Sequence, residues 1–222
     1  MQRSLEQVPL VDGSRVRLTI AAPESTVRGG IVVEPEARGV TEAVWQLAVG
    51  LAGEGWLAVI PQLDARDGAD GLGDSVRCHV ERLTVESVLA DADAAFGWLA
   101  RRGVTADRIG VVGVELGGAV ALIVATQRDL GAAVTIGGIG IVEPVAARLP
   151  ALVDVAPDLR CPWLGIYGRD DKVSEQAVHK LRDAAHSAVV ATDLVHCCFD
   201  IDQSVASEAW ARTLNWFGSH LR

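Results

Sequence analysis

Ile109-Gly110-Val111-Val112-Gly113-Val114-Glu115-Leu116-Gly117-Gly118-Ala119 reads as a buried strand, a tight turn and the first turn of a helix. The run 109–114 is apolar without polar alternation, as in a strand covered on both faces. Gly113 and Gly117 bracket Glu115, and a turn this sharp leaves no room for a side chain at either glycine. The turn carries residue 115 clear of the strand end.

Outward from this stretch the same alternation repeats. Strands are expected over 16–21, 30–33, 56–60, 108–114, 132–136, 162–167 and 189–194. Helices are expected over 41–54, 84–102, 117–127, 174–185 and 203–220. Repeated strand–helix–strand units predict an α/β fold, a doubly wound and mostly parallel sheet with flanking helices, and its ligand crevice lies beyond the carboxyl ends of the strands. The polar, Gly-rich stretch 65–74 is too short to separate domains, so residues 1–222 are expected to form one domain. Too few residues lie between 136 and 162 for a large lid.

The chain has 20 basic against 29 acidic residues, a formal net charge of -9, which disfavours nucleic acid and anionic membrane as partners. The N-terminus lacks an apolar stretch of signal-peptide type, and no segment reaches the roughly 20 apolar residues of a bilayer span, so a cytoplasmic protein is expected. The four cysteines, Cys78, Cys161, Cys197 and Cys198, read as reduced thiols in a chain of this size. Neither they nor the five histidines have zinc-ligand spacing, and no metal or cofactor is expected. His179, His186 and His220 read as surface or helix-terminus residues, and the six tryptophans as packing residues.

Residues 113–117 match the nucleophile elbow G-x-S-x-G at every position but the central one. With the second glycine pair the stretch resembles the dienelactone hydrolase family, whose elbow reads G-x-C-x-G-G, and the resemblance runs across most of the chain. The strand and loop 30–40 (GIVVEPEARGV) is similar to the family's strand ending in E-x-x-G, 51–61 (LAGEGWLAVIP) to its "LAxxGYxAxxPDL" strand, and 209–217 (AWARTLNWF) to its last helix. The resemblance implies an α/β-hydrolase fold and a triad in the chain order nucleophile, acid, histidine. Glu115 occupies the nucleophile position. Residues 168–173 (GRDDKV) match G-x-D-x-x-V and make Asp170 the orienting acid, with Asp171 as the alternative. His196 matches the histidine of "GHxF", although Cys197-Cys198 puts Phe199 one position late. By the family's pattern the backbone N–H groups of Ala37 and Leu116 form the oxyanion hole. Glu36 falls where the family carries a glutamate near the resting nucleophile, here facing Glu115 or else turned to solvent or to Arg38. Arg77, with His79 nearby, lies where the family places an arginine for the substrate carboxylate. Substrate contacts are therefore expected from Glu36, Arg38 and Arg77.

A carboxylate cannot run ordinary acyl-enzyme chemistry, because attack on an ester would give a mixed anhydride. Three readings of Glu115 stay open. It attacks an alkyl carbon, as elbow aspartates of epoxide hydrolases and haloalkane dehalogenases do. It serves as general acid or base toward a small lactone, ester or enol. Or the site is silent and the scaffold binds a small molecule or a second copy of itself, a homodimer. A thiol at Cys197 or Cys198 substituting as nucleophile is weighed against simple packing.

Overall fold

A computed structural model describes residues 3–62, 76–168, 173–185, 189–194 and 203–221. Its strands are β1 (Ser4–Pro9), β2 (Arg15–Ala21), β3 (Gly29–Glu34), β4 (Trp56–Pro61), β5 (Ile109–Val114), β6 (Ala132–Ile136), β7 (Trp163–Gly168) and β8 (Val189–Leu194). Its helices are α1 (Glu42–Gly53), α2 (Val76–Arg82), α3 (Val85–Ala100), α4 (Leu116–Gln127), α5 (Leu152–Val155), α6 (Glu175–Ala184) and α7 (Gln203–His220). The expected α/β architecture is observed: one eight-stranded sheet in the order β1-β2-β4-β3-β5-β6-β7-β8. Pairing is antiparallel at β1/β2 and β2/β4 and parallel from β4 through to β8.

Strand order fixes the position of the crevice. The chain winds outward from β3 to β4, then crosses back over β3 to β5, so the direction of winding reverses between β3 and β5. Loops leaving neighbouring strands on either side of such a reversal diverge to opposite faces and leave a gap above the sheet. The register places Glu34 opposite Gly113. The turn after β3 and the turn after β5 therefore open side by side at that gap.

Each face of the sheet has its own apolar layer. On one, Ile31, Val33, Ala58, Ile60, Val112 and Val134 meet α1 and α7. On the other, Val32, Val59, Val111 and Ala133 meet α3, α4 and α6. Burial on both sides explains why β3 to β7 read as unbroken apolar runs. Helix starts follow local chemistry. Thr41 caps α1 by accepting from the Val44 N–H at 3.3 Å. Thr84 and Ser87 exchange reciprocal hydrogen bonds at 3.0 and 3.1 Å over the first turn of α3. The helices expected over 41–54 and 84–102 thus begin one residue later, since Thr41 and Thr84 cap rather than enter them.

Three elements lie outside the sequence-based expectation: β1, α2 and the four-residue helix α5. Edge strand β1 buries only Val8 and has no apolar alternation to announce it. It is held instead by pairing with β2 and by Glu6, which accepts from the Trp98 indole at 2.7 Å and from the Arg102 guanidinium at 3.1 Å. Helix α2 buries no residue at all, so it carries no periodic signal.

Among the described glycines, Gly113 and Gly117 of the elbow have the least room for a side chain. A Cβ on Gly113 would run into the carbonyl group of Gly117, and a Cβ on Gly117 into the carbonyl of Glu34, with the Pro35 carbonyl oxygen only 2.8 Å away. These obstacles are backbone and cannot rotate aside. Gly117→Ala is expected to cost about 3 kcal/mol or more, read as a lowered urea midpoint or failure to fold; wild-type stability would contradict this packing.

Candidate active site

Glu115 is the one described residue other than glycine with positive φ, at φ 50° and ψ -110°. Here an L side chain is strained, because its Cβ crowds the flanking peptide groups. The surroundings impose the geometry. The Glu115 N–H donates to the Ile136 carbonyl at 2.9 Å, and the Glu115 carbonyl accepts from Ala119 at 3.1 Å and from Ile139 at 3.4 Å. Leu116, 1% exposed, locks the next position into the α3/α4 layer. Strand β6, the loop after it and α4 thus hold the turn from three sides. The Glu115 side chain is left exposed at the head of α4.

The positive φ makes this an elbow in conformation as well as in sequence. The N–H of Leu116, first residue of α4, belongs to the helix-end donors with no intrahelical acceptor. Across the gap, the chain leaving β3 makes a tight turn: the Gly39 N–H donates to the Glu36 carbonyl at 2.8 Å, with Gly39 at φ 79°, and the Thr41 N–H donates to the Gly39 carbonyl at 3.0 Å. Glu36 and Ala37 are half-buried in this turn, whereas Arg38 is exposed. Glu36, Ala37, Glu115 and Leu116 therefore occupy the two turns that the reversal in winding sets side by side.

Arg77 lies on the exposed helix α2, its side chain 87% exposed and its Nε paired to Glu81 at 2.9 Å one helical turn away. That pairing is the surface role weighed against substrate binding. Asp170, Asp171, His196, Cys197 and Cys198 lie outside the described residues. Of the other residues weighed, His179 sits within 3.8 Å of Glu175 on α6, and His220 contacts the Trp216 carbonyl at 2.8 Å while stacking on its ring. Both have helix-surface roles. Cys78 and Cys161 are not in disulfides, and burial pushes Cys161 up to about 12, so it stays a neutral packing group at ordinary pH.

Sequence reasoning passed over Glu34. It ends β3, is 1% exposed, and neither carboxyl oxygen has a hydrogen-bond partner. Burial, reinforced by the charge of Asp91 on α3, raises it from 4.5 to about 8. Asp91 is itself 1% exposed. The sequence did carry a signal: Asp91 interrupts the buried stripe Val88, Ala92, Ala95, Leu99 at helical spacing, and Glu34 closes an otherwise wholly apolar strand.

Among the described residues no helix is long and apolar enough to cross a membrane, and no group of three or more His, Cys, Asp or Glu is placed to hold a metal ion. An open groove of about 460 Å³, lined by Ile123, Thr126, Gln127, Arg148 and Leu149 among others, lies at the far end of α4 from the elbow.

Comparison with known proteins fits this geometry. The model of the dienelactone hydrolase family matches residues 16–221. The chain belongs to the dienelactone hydrolase family. Curated relatives include proteins named "Putative carboxymethylenebutenolidase" from Salmonella typhi, 31% identical over 211 residues covering 86% of this chain and 77% of the relative, and from Escherichia coli strain K12, 30% identical over 206 residues covering 84% and 75%. Among solved structures, a "Putative Dienelactone Hydrolase" from Klebsiella pneumoniae superposes with a TM-score of 0.85 at 27% identity, covering 98% of this chain and 99% of its own. This dienelactone hydrolase family member thus has the family's α/β-hydrolase architecture, with a glutamate seated at the elbow.

Removing the side chain of Glu115 should relieve the strain at the elbow. Glu115→Gly is expected to raise stability by about 1 kcal/mol, since relief of the positive φ outweighs glycine's added unfolded-state entropy. Thermal melts of the two proteins would read this, and a less stable glycine variant would refute it.

Proposed function

We propose that the protein hydrolyses a small lactone, ester or related acyl compound, with Glu115 acting as general base. The observation that carries this reading is the strained, solvent-facing Glu115. Holding a non-glycine residue there costs about 1–3 kcal/mol, and a silent scaffold gains nothing from that cost, whereas a catalytic turn gains an aimed carboxylate. This weighs against the alternative of an inactive binding protein. The names of the Salmonella and Escherichia relatives support the choice of substrate class: a carboxymethylenebutenolide is an unsaturated lactone bearing a carboxylate.

In this reading Glu115 removes a proton from a water molecule as its oxygen attacks the acyl carbon. The negative charge that develops on the carbonyl oxygen is received by the N–H groups of Ala37 and Leu116, which need no rearrangement as backbone donors. The ring or ester C–O bond then breaks, and the proton passes to the departing oxygen. His196 and Asp170 take the family's places as proton carrier and orienting acid, and Arg38 and Glu36 border the substrate. Attack by Glu115 on an alkyl carbon, followed by hydrolysis of the covalent ester, is the second route from the same position. The substrate is taken as a soluble small molecule, without metal, cofactor, nucleic acid or membrane; assembly as a homodimer is compatible with it.

Two variants test the proposal. Glu115→Gln should lower turnover of a small enol lactone by about 100-fold or more while leaving the fold intact by circular dichroism. Glu115→Cys should acquire or raise activity toward activated aryl esters, with a burst of released phenol marking the acyl-enzyme. A Gln variant as active as wild type would remove residue 115 from the mechanism.

A further inference from the structure

Glu34 is the least comfortable side chain in the described structure, and it lies under the site. Its backbone carbonyl packs against Gly117 in the first turn of α4. Two residues later the chain enters the turn that carries Glu36 and Ala37. Alternation along β3 puts its side chain on the face shared with Val32, toward α3 and α4. Its flanking strands bring no charge there: β5 presents Gly113 in register, and β4 continues past Val59 to Pro61. Helix α4 brings Leu116 and Gly117, and α3 brings Asp91. Asp91 is the charged group acting on Glu34 among the described residues.

An ionised carboxylate without hydrogen bonds cannot be kept in such a place, and a second carboxylate nearby makes matters worse. A neutral carboxylic acid can. We propose that Glu34 is a positioning residue which, in its protonated form, keeps the end of β3 seated against the elbow, and that losing this proton to solvent loosens the 35–41 turn. The release is a simple ionisation: the O–H bond of the carboxyl breaks, the proton goes to water, and no other bond changes. Because the strand end is pinned against Gly117, a carboxylate seeking water has to take the following turn with it. Ala37 would then shift relative to Leu116, making the separation of the two oxyanion donors depend on pH. This deepens the hydrolase reading, on which the role given to Ala37 rests.

The pH window follows from linkage. In the unfolded chain Glu34 loses its proton near 4.5, and in the folded chain near 8. Between these values the folded state holds a proton that the unfolded state has released, so stability falls as pH rises through the window and levels off above it.

The experiment uses the full-length chain and needs no substrate, so its failure and failure of the hydrolase reading are distinguishable. The side-chain carboxyl carbon of Glu34, followed by NMR in the wild-type protein, should titrate well above the ordinary glutamate range. Urea midpoints measured across the window should fall with pH in wild type and fall less in Glu34→Gln, which keeps size and loses the charge. Amide exchange in residues 34–41, corrected for its intrinsic pH dependence, should accelerate about tenfold above the window in wild type and stay level in Glu34→Gln. Asp91→Asn should move the Glu34 titration downward. An ordinary titration midpoint overturns the proposal, a result available even if Glu34→Gln fails to fold. Acceleration spread evenly over the whole chain overturns it as well, because a merely structural residue would produce that.

Discussion

The site depends on one steric constraint: the backbone of the β5–α4 turn touches the backbone at the end of β3 with no side chain between them. Gly113 meets the carbonyl group of Gly117, and Gly117 meets the carbonyl of Glu34. Protein interiors tolerate little misfit, and backbone cannot change rotamer to relieve it. The helix must therefore start where it does, and the residue before it is forced into a conformation that L side chains avoid. Hydrogen bonds from β6 and the loop beyond it hold the strained residue in place. The strain and the exposure of Glu115 both follow from that contact.

The same contact links the two carboxylates of interest by opposite routes. Glu115 is thrust out to solvent because its neighbours leave no interior space for it. Glu34 is trapped because its strand runs through the middle of the sheet with layers on both faces. One carboxylate is exposed to solvent. The other is desolvated and holds its proton far beyond the ordinary glutamate range.

Much of the fold was legible because its signals are local. Unbroken apolar runs mark strands covered twice, helical spacing marks α1, α3 and α7, and the paired glycines mark the elbow. Strand β1 was not legible, because its place rests on Glu6 reaching Trp98 and Arg102 more than ninety residues away. The helix α2 was not legible either, since an element that buries nothing leaves no periodic trace. Motif and spacing proposed Glu36, Ala37, Glu115 and Leu116 as site residues, and the fold sets them in two neighbouring turns. Arg77 was proposed from its neighbourhood in sequence, and its ion pair with Glu81 on an exposed helix is a contact that spacing on α2 alone allows.

The sequence by itself determined the alternation of strands and helices, the sharp turn at 113–117, and the identity of the group carried on it. These depend on which residues are apolar, which are glycine, and how they are spaced, all of which survive without knowledge of partners. Only the tertiary structure decided that β3 lies between β4 and β5, because strand order is set by helices crossing over the sheet and not by order along the chain. That order seats the turn after β3 beside Glu115, gives Glu115 its positive φ, and buries Glu34 opposite Asp91. Neither a backbone strain nor a raised carboxyl affinity for protons is a property of a residue type. Each arises from what the folded chain packs around the residue.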